Sequence, residues 1–158
     1  MKKFLLCLAV CLAIPVSFAD QHGDDELDYG DHTSVTLMVK AWDMLGEGKY
    51  EAAIKYTEKC AELYEEQARE MQASLSAKAA PDKVNDYWAL NDVGTCYFIR
   101  GEALAKLRQY EEAIAAYKVV RDELRYAQAW DPKGWHWSPS DAAYPKVEML
   151  EAKVKDDF

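Results

Sequence analysis

Lys49-Tyr50-Glu51-Ala52-Ala53-Ile54-Lys55 recurs sixty residues later as Gln109-Tyr110-Glu111-Glu112-Ala113-Ile114-Ala115. In both places an amphipathic stretch comes first, then a tight connection, then a tyrosine that opens a helix-favouring run. Working outward from the first copy, Val35, Met38, Val39, Trp42 and Leu45 recur at spacings of three and four and define a first helix. Thr33 or Ser34 is its N-cap, and Gly46 and Gly48 are its stop signals. A second helix begins near Tyr50, with Ile54, Cys60, Ala61, Leu63, Tyr64, Ala68 and Met71 on its apolar side. Its Ala/Glu/Lys-rich composition carries it to about Ala79, and Pro81 ends it. Pro81 also suits the first turn of a third helix, from about Asp82 to Leu107. A fourth follows from Tyr110 to about Ala129, where Asp131-Pro132-Lys133-Gly134 must break it. A last short helix lies between Ser140 and Lys155, interrupted early by Pro145. No segment shows sustained alternation with period two, so essentially no sheet is expected.

The recurring segment resembles the turn and second helix of the tetratricopeptide repeat, where an aromatic fixes the turn and a small residue lets paired helices approach closely. Gly101 lies nine residues before Tyr110, in the place of the family's small contact residue, with Tyr97 and Leu104 flanking it. Trp42-Asp43-Met44-Leu45-Gly46 looks like the family's Trp-x-x-Leu-Gly start, but that register leaves almost no helix before Tyr50. Counting back nine residues from Tyr50 gives Ala41 instead, matching Gly101. The resemblance covers roughly Ser34 to Ala129. It departs from the family in its spacing, sixty residues against about thirty-four, and in having Glu65 and Arg125 where a terminating proline usually stands. Both departures imply helices that run past their usual ends. The expected fold is all-α: two long antiparallel helical hairpins over residues 33–129, with a Trp-rich loop and a capping helix over 130–158. Two repeats bury less than the three or more such arrays need, so the long helices, the cap or self-association must make up the difference.

In the family the first helix of each repeat lines a concave face. Carried over by position, this implies a partner-binding groove at Met38, Trp42, Leu45, Phe98 and Glu102. Such a groove is apolar with little positive charge, unlike the Lys/Arg/Asn clamp with which some relatives grip a peptide carboxylate. It suits an apolar helix or extended peptide of a protein partner, unless the last helix or a second copy of the chain fills it. Trp130, Trp135 and Trp137 form a second aromatic feature. Exposed, they would stack on sugars or anchor a partner, which makes a glycan- or cell-wall-binding module the alternative reading; folded inward, they would staple the last helix to the second hairpin.

The N-terminus sets the expected compartment. Lys2 and Lys3, the apolar run Phe4 to Val16 and Ser17-Phe18-Ala19 have the form of a secretory signal peptide over residues 1–19, cut after Ala19. The run is too short to span a bilayer, which takes roughly twenty residues, and Cys7 and Cys11 precede its end, which argues against lipidation. The mature protein is therefore expected to be periplasmic or secreted, with no stable membrane insertion. Removing Lys2 and Lys3 from the 19 basic residues leaves 17 against 28 acidic ones, a net charge of −11 that excludes nucleic acid as a partner. Residues 20–32 carry six carboxylates and only Leu27 and Tyr29 as sizeable apolar groups, and are expected to form a mobile acidic arm. Asp24, Glu26 and Asp28 alternate as in a calcium loop, but Tyr29 stands where that loop needs glycine and Val35 where it needs glutamate. Cys60 and Cys96 either close a disulfide between neighbouring helices or remain two buried thiols. His136 is the one histidine beyond the arm, and no Gly-x-Ser-x-Gly, His-Glu-x-x-His or phosphate-loop motif occurs. The expectation is a binding protein with no catalytic residues, metal or cofactor.

Overall fold

The computed structural model describes residues 27–156. Five α-helices dominate them: α1 (Ser34–Gly46), α2 (Tyr50–Ala73), α3 (Trp88–Lys106), α4 (Tyr110–Lys118) and α5 (Pro139–Asp156). The signal peptide expected over residues 1–19 and the first part of the acidic arm lie outside the described residues.

The two tyrosine-led turns are built alike, bond for bond. After α1, Gly48 adopts φ 76° and its N–H reaches the Leu45 carbonyl, while the Lys49 N–H reaches Met44. After α3, Arg108 adopts φ 62°, its N–H reaches Ala105, and the Gln109 N–H reaches Leu104. This is the paired hydrogen bonding of a Schellman cap, in which a left-handed residue lets the chain satisfy the last helix carbonyls and reverse. Only three residues then separate each helix from the next, so α1 packs on α2 and α3 packs on α4.

Helix α3 is the centre of the molecule. Apart from its ends it is buried nearly all round, from Ala89 and Leu90 through Val93 to Ile99, Ala103 and Leu104, because α1, α2, α4 and α5 all pack against it. Glycines permit two of these approaches. A Cβ on Gly101 would stand 2.6 Å from the Tyr117 ring of α4, and one on Gly94 would stand 2.5 Å from Ala127 Cβ. Ala41, the counterpart of Gly101 in the first copy, is fully buried.

Several boundaries differ from expectation. Helix α2 stops at Ala73, because the Ser74 hydroxyl donates to the Met71 carbonyl at 2.7 Å. Beyond it, the carbonyls of Ser76 and Ala79 accept from the Tyr126 hydroxyl and the Gln128 amide. The third helix starts later, with a 3₁₀ turn over Val84–Tyr87 before α3. Helix α4 gives way to a π turn over Val119–Glu123, and the chain then leaves helical geometry to seat Ala127 against Gly94. The last helix is longer than expected; Pro139 opens it, the Ser138 hydroxyl accepts from the Asp141 N–H, and Pro145 is carried inside it.

The expectation of no sheet is corrected by a short antiparallel hairpin, β1 (Ala129–Asp131) with β2 (Trp135–Trp137). Its turn forms because Asp131 holds the N–H groups of Lys133 and Gly134, and Gly134 takes φ 108°. The mobile arm is corrected for its last residues too. Tyr29 packs edge-on against Tyr56 at 5.4 Å, Asp28 pairs with Lys40 at 3.1 Å, and the Asp28 and His32 carbonyls accept from Tyr56 and Tyr64. Leu27 and Tyr29 are thus enough to dock this stretch on α1 and α2. Cys60 and Cys96 are both free thiols, fully buried and in mutual contact between α2 and α3.

Candidate binding cleft

A cleft of about 770 Å³ opens between α1, the start of α3 and the hairpin. From α1, Val35, Met38, Val39 and Trp42 face it, a stripe set by helical spacing. The 3₁₀ turn and α3 contribute Val84, Trp88, Asp92 and Thr95. The hairpin closes the third side with Trp130, His136 and Trp137, held against α3 by Asn91, whose side chain accepts from the Gln128 N–H at 2.9 Å and donates to the Val84 carbonyl. Four of the chain's five tryptophans therefore face one cavity.

The floor rests on Phe98. This ring is buried and touches Trp42 at 6.4 Å, Trp137 at 5.2 Å and Tyr117 at 5.6 Å between centroids. It fixes the two tryptophans from behind rather than lining the cavity. Trp137 accordingly points inward, whereas Trp130 is 60% and Trp135 49% exposed, so the loop is neither wholly a staple nor wholly a surface patch. Trp130 stands on the cleft rim with its ring edge-on to His136 at 4.9 Å. Trp135 points away from the cleft and lies under Lys133.

Of the residues expected to form a groove, the structure brings Met38 and Trp42 to the cleft and places Phe98 directly beneath them. Leu45 instead packs into the core, and Glu102 is tied up by the Tyr117 hydroxyl at 2.7 Å and by Lys146 of α5. Position 102 matches position 42 at the sixty-residue offset, so α5 covers in the second copy what stays open in the first. Burial and the hydrogen bond to Glu102 together push the Tyr117 hydroxyl far above the ordinary tyrosine range, which keeps it a donor.

Sequence reasoning missed Trp88, Asp92 and His136 as site residues. Asp92 carried a legible signal, being the one charged residue in the run from Trp88 to Phe98. It accepts from the Ser34 hydroxyl at 2.5 Å, and burial pushes its carboxyl above the ordinary range against the lowering effect of that bond. Among the described residues no lysine or arginine lines the cavity. Among the described residues no group of His, Cys, Asp or Glu is arranged to hold a metal. Comparison of the chain with family models, curated proteins and solved structures gives no match.

Proposed function

We propose that this chain is an exported, non-catalytic adaptor of tetratricopeptide type, whose cleft between α1, α3 and the hairpin holds a segment of a protein partner in the cell envelope. The observation that carries the reading is the cleft itself: an open cavity of about 770 Å³ lined by four tryptophans from α1, α3 and the hairpin, two of which, Trp42 and Trp137, are braced from the core by Phe98. Rigid aromatic rings around a concave apolar surface are what peptide anchors use, because they bury large area at small entropic cost. The tetratricopeptide reading draws support from the two turns with one hydrogen-bond pattern and from the small residues Ala41 and Gly101 at matching positions. Export rests on the leader-like residues 1–19.

A photo-crosslinking residue at Val39, on the exposed cleft rim, is expected to yield discrete adducts in cells, while the same residue at Glu66 on α2 yields none of them. Identical adducts from both positions, or none from Val39, would remove the reading. The alternative, a glycan-binding module, has the exposed Trp130 and Trp135 in its favour. Quenching of tryptophan fluorescence by cell-wall fragments, abolished in Trp135→Ala, would favour it over the groove.

A further inference from the structure

Aromatic rings and basic side chains meet repeatedly across the surface of this protein. Lys40 lies over Tyr56, Lys59 over Tyr29, Arg100 over Tyr97, Arg121 over Tyr144, Arg125 over Tyr126, Lys153 over Tyr110 and Lys133 over Trp135. Every one of these pairs leaves out the cleft. Trp42, Trp88, Trp130 and Trp137 carry no cation among the described residues, although they are the densest aromatic material in the chain. The cleft carboxylates stand in the same condition. Asp92 has the neutral Ser34 hydroxyl as its hydrogen-bond partner, and among the described residues Asp131 holds backbone N–H groups of its own turn and no basic side chain. Elsewhere Asp28, Glu65, Asp141 and Glu151 each have a lysine or arginine within 3.1 Å.

We propose that the partner segment in the cleft presents a lysine or arginine, its charged head seated among the tryptophan faces beside Asp92 and its apolar neighbours packed along Val35, Met38 and Val39. The inference rests on the adaptor reading and names the chemistry of the occupant. Three physical requirements converge on it. Indole faces attract a cation more strongly than any other side-chain ring, and more so out of water. A carboxylate drawn into an apolar cavity without a basic partner loses solvation that an incoming cation restores. The chain as a whole is acidic, with 28 acidic against 19 basic residues, so a basic segment is drawn toward it and an acidic one repelled. A cation also offsets the desolvation that raises the Asp92 carboxyl; among the described residues the other polar groups around it or at the cleft include Ser34 on α1, Asn91, Thr95 and Cys96 on α3, and Asp131 and His136 on the hairpin, and none of them is a lysine or arginine.

The test is selection of a random seven-residue peptide library on the purified protein, with Asp92→Asn and Trp130→Ala in parallel. Both variants are expected to fold, since asparagine still accepts from Ser34 and Trp130 is mostly exposed. The recovered peptides should combine apolar residues with at least one lysine or arginine. A resynthesised peptide should lose about tenfold in affinity when its lysine is acetylated or its arginine replaced by citrulline. That loss should shrink in Asp92→Asn. Recovery of purely apolar peptides that bind the wild type and Asp92→Asn equally would overturn the cation while leaving the groove in place. Recovery of the same peptides on Trp130→Ala and on a Trp42→Ala protein at undiminished affinity would overturn the groove as well.

Discussion

The two halves of the helical domain share a turn and diverge in what surrounds it. Both reverse through a left-handed residue with the same pair of hydrogen bonds, and both bury an alanine three residues after the tyrosine, Ala53 and Ala113. Around that common turn the side chains have been exchanged in pairs. Ala41 and Thr57 in the first half become Gly101 and Tyr117 in the second, so a glycine makes room for a ring. Trp42 becomes Glu102, and with that change the second half accepts Lys146 of α5 while the first half keeps its aromatic face open to the hairpin. The same turn thus leads to a face covered by α5 in the second half and to an open one in the first, and α2 runs on as a regular helix where α4 gives way to the π turn.

The largest effect that would sharpen this contrast is at the paired core positions. Tyr117→Ala is expected to cost about 3–5 kcal/mol, because a fully buried ring and its hydrogen bond to Glu102 both go. Its counterpart Thr57→Ala should cost about 1–2 kcal/mol, for the loss of the bonds to Ile54 and Arg100. Equal losses in urea denaturation would break the claim that the halves are packed differently. Next in size, Gly101→Ala should destabilise by about 1–3 kcal/mol through collision with the Tyr117 ring. The reverse change at the matching site, Ala41→Gly, costs about 1 kcal/mol for helix propensity alone.

The turns give a smaller test of opposite sign. Arg108 bears a left-handed backbone that suits glycine, so Arg108→Gly is expected to stabilise by roughly 0.5–1 kcal/mol, whereas Gly48→Ala should destabilise by about 1 kcal/mol. A loss in both variants would show that the two turns differ. The smallest expected effect is at Asp92. Burial raises its folded pKa above the ordinary 3.8, so the stability it contributes is fully present below that value and is lost as pH rises through the folded value. Asp92→Asn should therefore melt higher than the wild type at neutral pH, with the two melting points converging in acid below 3.8. A lower melting point for the variant at neutral pH would mean that a cation of the chain already pairs with Asp92.

Much of the helical layout was legible because it rests on spacing. The stripe from Val35 to Trp42 and the recurring tyrosine-led segments are features of spacing, whereas the small residues 41 and 101 and the placing of Met38 and Trp42 in a groove came from the tetratricopeptide resemblance. What escaped depends on contacts between distant residues. Beyond the local Ser74 bond that ends α2, Tyr126 and Gln128, some fifty positions away, hold the Ser76 and Ala79 carbonyls that a longer helix would use. The hairpin offered three residues per strand, too few for alternation to register. Because the hairpin went unseen, the groove residues and the tryptophan loop read as two rival sites, when Phe98 and Trp137 join them into one. Glu102 was misplaced for a related reason: nothing local announces that Lys146 arrives to cover it.

The indole N–H resonances offer the most direct examination of the open half, since the chain has five tryptophans and four face the cleft. With a library-selected basic peptide added, the signals of Trp42, Trp88, Trp130 and Trp137 are expected to move together while Trp135 stays in place. Movement of Trp135 alone, or of none of the five on adding a peptide that binds, would contradict the assignment of this cleft as the docking surface.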